Sequence, residues 1–259
     1  MKKTLNIANI VSLIIAVTIN YISNTSMSGG ESIGAISARY ENILTPAGYA
    51  FAIWGLIYLL LFAFAIYQGI GLFKKHPSDE IVMKIKWWFV VANLANAGWV
   101  LAFSQDLVGV SVLIILTLLI SLLKIVLNLD MEKPDAPLST IVWVWWPFSI
   151  YFGWVTVAVV ANIATYLTKV GYDGAPLSPA LWAIILLFIV AGICVALIWS
   201  RNMREYALTA VWGVVAIAVK NWDAHPLVAY IAVGLAVVIF INVAIHGHKN
   251  RHAFINQLK

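Results

Sequence analysis

Three stretches of this chain space aromatic rings and amides so that they share helix faces. In residues 45–60, TPAGYAFAIWGLIYLL, the rings of Phe51, Trp54 and Tyr58 fall at i, i+3 and i+7 behind Pro46 and Gly48. In 93–103, NLANAGWVLAF, Asn96, Trp99 and Phe103 repeat that spacing, with Asn93 one turn earlier. In 143–166, WVWWPFSIYFGWVTVAVVANIATY, Tyr151, Trp154, Ala158 and Asn162 advance by three, four and four residues, and Pro147 interrupts the backbone ladder near the start. Rings stack, indole N–H groups donate, and amides both donate and accept. Converging faces of this kind suit a flat, polar-edged ligand. They equally suit bundle packing. What separates the two readings is the asparagine, which is costly inside a membrane span unless it is paired. Trp87, Trp88, Trp143, Trp182, Trp199 and Trp222 read instead as an interfacial belt.

The elements that must carry these faces are transmembrane helices. Hydrophobic residues make up 63% of the 259 residues and charged ones 10%. The charges gather between apolar runs long enough to cross about 30 Å of hydrocarbon at about 1.5 Å per residue. Spans are expected at 4–22, 48–72, 87–103, 109–129, 139–167, 179–199, 206–220 and 226–246. The fold class is therefore all-α, a polytopic integral membrane protein of about eight helices.

Charge orients it. With the N-terminus cytoplasmic, every one of the 16 Lys and Arg except Arg39, Lys169 and Lys220 lies on the inner side, which places both termini in the cytoplasm. The net charge of +5 follows from these inner loops, so nucleic acid is not an expected partner. The first apolar run resembles a signal peptide, but no A-x-A type site follows it, so it reads as a retained helix. Residues 23–47 form the longest outer loop and are placed to cover the outer mouth of the bundle. The Gly, Pro and polar cluster at 168–179, TKVGYDGAPLSP, divides five helices (1–167) from three (168–259). No internal repeat is visible.

Other chemistries lack their groups. No Asp, Glu, Lys, Arg or His falls near the middle of an expected span, which disfavours ion-coupled transport. His76, His225, His246, His248 and His252 sit in loops or at span ends and do not suggest a metal cluster. Cys194 is the sole cysteine and lies in an apolar run. No nucleophile triad and no phosphate loop is visible, and NTS at 24–26 is a short glycosylation pattern of little weight.

The three stretches together resemble the TspO or tryptophan-rich sensory proteins, also called translocator or peripheral benzodiazepine receptor proteins. The family's second-helix signature is similar to Pro46, Gly48, Phe51, Trp54 and Tyr58, with one position shifted around Phe51. Its third-helix pattern is similar to Asn96, Trp99 and Phe103, and its fifth-helix pattern to Tyr151, Trp154, Ala158 and Asn162. The likeness covers about residues 4 to 167. It departs where a double proline would stand, here Pro46-Ala47, and where Pro147 precedes Tyr151 by four residues. The resemblance implies a five-helix bundle that binds porphyrins, sterols or synthetic aromatics beneath the loop joining its first two helices, followed here by a three-helix extension. It implies a receptor or sensor for a tetrapyrrole in a bacterial inner membrane, with a facilitative transporter as the alternative and a porphyrin-modifying enzyme as a third reading. No cofactor is required, although porphyrin or haem binding is implied. Membrane lipid is an expected partner, and a homodimer remains open.

Overall fold

A computed structural model describes residues 1–25, 29–133 and 136–250. Its helices are α1 (Lys2–Asn24), α2 (Ile33–Arg39), α3 (Ile53–Gly69), α4 (Ser78–Ile85), α5 (Trp88–Ser104), α6 (Val108–Asn128), α7 (Leu138–Thr140), α8 (Trp146–Lys169), α9 (Pro179–Arg201), α10 (Arg204–Lys220) and α11 (Pro226–Lys249). A 3₁₀ segment, Gly48–Ala52, leads into α3, and a π-helical turn, Ile141–Trp145, joins α7 to α8. No strand occurs among the described residues. The protein is an all-α, polytopic membrane protein.

Each of the eight expected spans is helical. Six described helices or helix runs are individually long and apolar enough to cross a bilayer, and α4 with α5, bent by 63° at Lys86 and Trp87, make a seventh. The remaining segment, α10, has 17 residues, about 25 Å at 1.5 Å per residue and short of the hydrocarbon thickness. It still runs from face to face. Asn221, just past its end, donates to the Ile43 carbonyl at 2.8 Å, and an added Cβ at Gly247, near the end of α11, would lie 3.4 Å from Arg204 at its start. Being packed against α8, α9 and α11, α10 presents less surface to lipid than an isolated span does.

One core runs through the whole bundle, from Leu13 on α1 to Ile239 on α11. Small residues bring α8 and α10 together. A Cβ at Gly153 would lie 2.5 Å from the Tyr206 carbonyl oxygen, and one at Gly213 would lie 2.8 Å from Val157, so both glycines permit backbone approach of the kind membrane helices use. At the N-terminal end of the bundle α1, α3 and α5 share a polar seam. Asn6 donates to the Gln68 carbonyl at 2.6 Å, Asn9 to the Gln68 side-chain oxygen at 2.9 Å, and Asn93 to Ser12 at 3.0 Å. Asn93 is thus spent on packing rather than on the aromatic faces.

The faces sort the charges. The end opposite the N-terminus carries Arg39, Lys169 and Lys220, and each is paired: Arg39 with Glu31, Lys169 with Asp106 at 2.8 Å, Lys220 with Glu41 at 3.0 Å. Arg251, His252 and Lys259, and Ser26 of the glycosylation pattern, lie outside the described residues.

Candidate functional site

The 3₁₀ turn at Gly48–Ala52 swings the chain from the end loop into α3, and Pro46 is buried just before it. From there Trp54 reaches the bundle interior, 6% exposed. Its ring centroid lies 5.7 Å from Tyr58, 5.7 Å from Trp99, 6.0 Å from Tyr151 and 6.4 Å from Trp154. Phe51 meets Trp154 edge to face at 6.3 Å, and Trp99 meets Phe103 at 5.7 Å. The three sequence-derived stripes therefore converge on one ring cluster, with α3, α5 and α8 each supplying a face.

Amides fix the rings. Trp99 Nε1 donates to Asn162 Oδ1 at 2.7 Å, and Asn162 Nδ2 donates to Ser111 on α6 at 3.0 Å. Tyr58 donates its hydroxyl to Asn96 Oδ1 at 2.9 Å. Two buried indole donors at the cluster find no partner in the protein: Trp54 Nε1 and Trp154 Nε1.

A cavity of about 30 Å³ lies among these groups, room for one or two waters. Of the expected site residues, Pro46, Phe51, Trp54, Trp99, Phe103, Trp154, Ala158 and Asn162 line it. Tyr58, Asn96 and Tyr151 form the layer behind the lining. Gly48 is exposed, has no positive φ, and a Cβ there would meet nothing within 4 Å, so the turn does not depend on its being glycine. A porphyrin does not fit the cavity at this volume; the tryptophan rings must part to admit one.

Sequence reasoning missed five lining residues. Ile33 and Ser37 come from α2 within the 23–47 loop, and Val157, Ala161 and Thr165 extend the α8 face. Helix periodicity carried a signal for the α8 residues, which neighbour Ala158 and Asn162 on the same side. Nothing in the loop composition pointed to Ile33 or Ser37. Ser32 caps α2 by accepting from Ala35 N–H at 3.1 Å, and the helix is tied down from its end: Tyr40 donates to Asp106 at 2.9 Å, and Arg39 approaches the same carboxylate at 3.8 Å. The Lys169 ammonium, first, and then the Tyr40 hydroxyl hold the Asp106 carboxyl below the usual carboxylate range against its partial burial. So α2 sits over the cavity as a clamped cover.

Trp182 is not explained by a membrane belt alone. Its indole donates to the Gly174 carbonyl at 2.8 Å and it lines a separate cleft between α8 and α9. Trp87, Trp143, Trp199 and Trp222 are exposed as a belt requires. No cluster of three His, Cys, Asp or Glu that could hold a metal ion occurs among the described residues, and no histidine lines the aromatic cavity.

Fold and site define a helical membrane protein with a covered, ring-lined pocket inside its bundle. The family model for TSPO-like protein matches residues 6–245, and the chain belongs to that family. The match runs into α11, well past residue 167 where the likeness read from the three motifs ends. No curated protein and no solved structure matches the chain.

Proposed function

We propose that the protein is a membrane receptor of the sensor type that binds a flat hydrophobic ligand carrying hydrogen-bond acceptors, with tetrapyrroles the first class to test. The observation that carries this is the pair of unpartnered indole donors, Trp54 Nε1 and Trp154 Nε1, on the lining of one aromatic cavity. A buried donor left unpaired costs about 1–3 kcal/mol. A ligand that slides between Trp54 and Trp154 stacks on rings and offers acceptors at its edge, answering both features. Membership of the TSPO-like family supports the same reading.

The pocket needs no axial ligand to work, so the metal-free porphyrin binds about as well as haem. The inner-side bias of Lys and Arg supports placement in a bacterial inner membrane with both termini cytoplasmic. Transport is the alternative and porphyrin modification the third reading. Protein in sealed vesicles loaded with protoporphyrin separates them. Saturable binding with no flux and an unchanged absorption spectrum is the expected result. Flux would make the protein a transporter, a converted spectrum an enzyme, and absence of saturable binding would end the tetrapyrrole reading.

A further inference from the structure

The aromatic cavity is not the roomiest space in the molecule. A cleft of about 420 Å³ lies between α8 and α9 at the lid end, within the size range of small-molecule sites. Its α8 wall is Ile163, Ala164, Leu167 and Thr168, and its α9 wall includes Trp182, Ala183 and Leu186. The segment Asn42–Leu44 forms its roof. None of the lining residues is charged, and the polar groups are already committed: Thr168 donates to the Ala164 carbonyl, Tyr172 to the Ala175 carbonyl, Trp182 to the Gly174 carbonyl and Asn42 to the Tyr40 carbonyl. The cleft therefore favours an uncharged, apolar-bodied occupant, held by burial rather than by hydrogen bonds.

It also leads somewhere. A void of about 10 Å³ shares Leu44 and Leu186 with the cleft, and shares Val157 and Ala161 with the aromatic cavity. Three spaces thus lie in series from the α8–α9 cleft to the tryptophans, with buried Leu44 as the partition between the cleft and the void, and Val157 and Ala161 of α8 between the void and the aromatic cavity. Leu44 is held in place from α10 and from its own loop. Asn221 donates to the Ile43 carbonyl at 2.8 Å, Ala47 N–H donates to the Ala216 carbonyl at 3.0 Å, and Leu44 N–H donates to Asn42 at 3.0 Å.

Building on the functional reading above, we propose that the α8–α9 cleft is a side entry at which an uncharged ring compound dissolved in the bilayer docks before passing Leu44, and then Val157 and Ala161, into the aromatic pocket. The extension helix α9 then supplies one wall of the entry, and α10 anchors its gate.

The test follows binding of protoporphyrin dimethyl ester, delivered from neutral phospholipid vesicles, to the full chain by stopped-flow tryptophan fluorescence. Leu44→Ala opens the partition and is expected to raise association and dissociation rates together by about tenfold, with Kd held within about twofold. Ala183→Phe narrows the cleft and is expected to lower both rates. A change in Kd without paired rate changes, or unchanged rates in a folded Leu44→Ala protein, overturns the entry. If the wild type binds no ester, the functional reading fails, and the cleft is judged by itself with an uncharged aromatic diazirine probe in the same vesicles. Saturable labelling within 163–168 and 182–186 keeps it as a site, and labelling that never saturates removes it.

Discussion

Asn162 sits 3% exposed in the bundle, where an unpaired amide would be costly. It accepts from Trp99 and exchanges hydrogen bonds with Ser111, so it joins α8 to α5 and α6. Asn162→Leu keeps bulk and helix propensity but strands the Trp99 N–H, and is expected to lower stability by about 1–3 kcal/mol. Thermal unfolding in detergent reads this. Adding Trp99→Phe to Asn162→Leu removes the stranded donor and should recover part of the loss; no recovery would mean that the bond is not what holds Asn162. Spacing made Asn96, Asn162 and the rings around them legible in the sequence, because a helical period states which side chains share a face. It did not say which indole N–H would remain without a partner, since pairing is settled by side chains from other helices, such as Asn162 for Trp99. Nor did it separate Trp182 from the belt, because an indole near a span end looks the same in sequence whether it faces lipid or a cleft.

At the scale of elements, the loop after α6 is seated on the α9–α10 turn, where Asn202 donates to the Glu132 carbonyl at 2.6 Å. Glu132 is 7% exposed and its Oε1 has no partner. Burial, with the neighbouring Glu205 charge adding and Arg204 partly offsetting, pushes its carboxyl up to about 8. A raised carboxyl pKa means that the folded protein holds a proton the unfolded chain has lost. Stability should therefore fall as pH rises from the ordinary glutamate range to about 8 and level off above it. Glu132→Gln should flatten that slope in unfolding scans taken across the same window, and an unchanged slope would assign it to another group. The lid helix was the element hardest to foresee. Seven residues, Ile33–Arg39, inside a Ser, Gly and Asn-rich loop carry no long period, and their position depends on Asp106, far away in sequence. The long helices were legible throughout because lipid demands length and apolarity of each one. The shortness of α10 was less so, since its tolerance comes from burial by its neighbours.

Across the whole molecule, the proposed orientation puts Tyr172 outside and Asn250 inside. Single cysteines there, in a Cys194→Ser background, give a direct readout with an impermeant thiol reagent on sealed cells. Tyr172→Cys is expected to label and Asn250→Cys is not; the reverse pattern would invert the topology. The expected division at 168–179 marks a loop, yet the core continues across it through Gly153 against Tyr206 and Gly213 against Val157, contacts that no linear pattern announces.

If the buried donors and rings around Trp54 form a ligand pocket, removing that one indole must weaken binding. Purified wild type, Trp54→Leu and Trp87→Leu are titrated with protoporphyrin, reading quenching of the remaining tryptophans. Trp87 is half exposed at the bend between α4 and α5, away from the cavity, and serves as the control. Leucine at position 54 keeps the helix while removing a stacking ring and an unpartnered N–H, so affinity of the folded protein should fall about five- to two-hundredfold, the equivalent of roughly 1–3 kcal/mol. Trp87→Leu should bind as wild type does. Normal binding by Trp54→Leu, or an equal loss in both variants, would leave the ring cluster as packing and the pocket elsewhere.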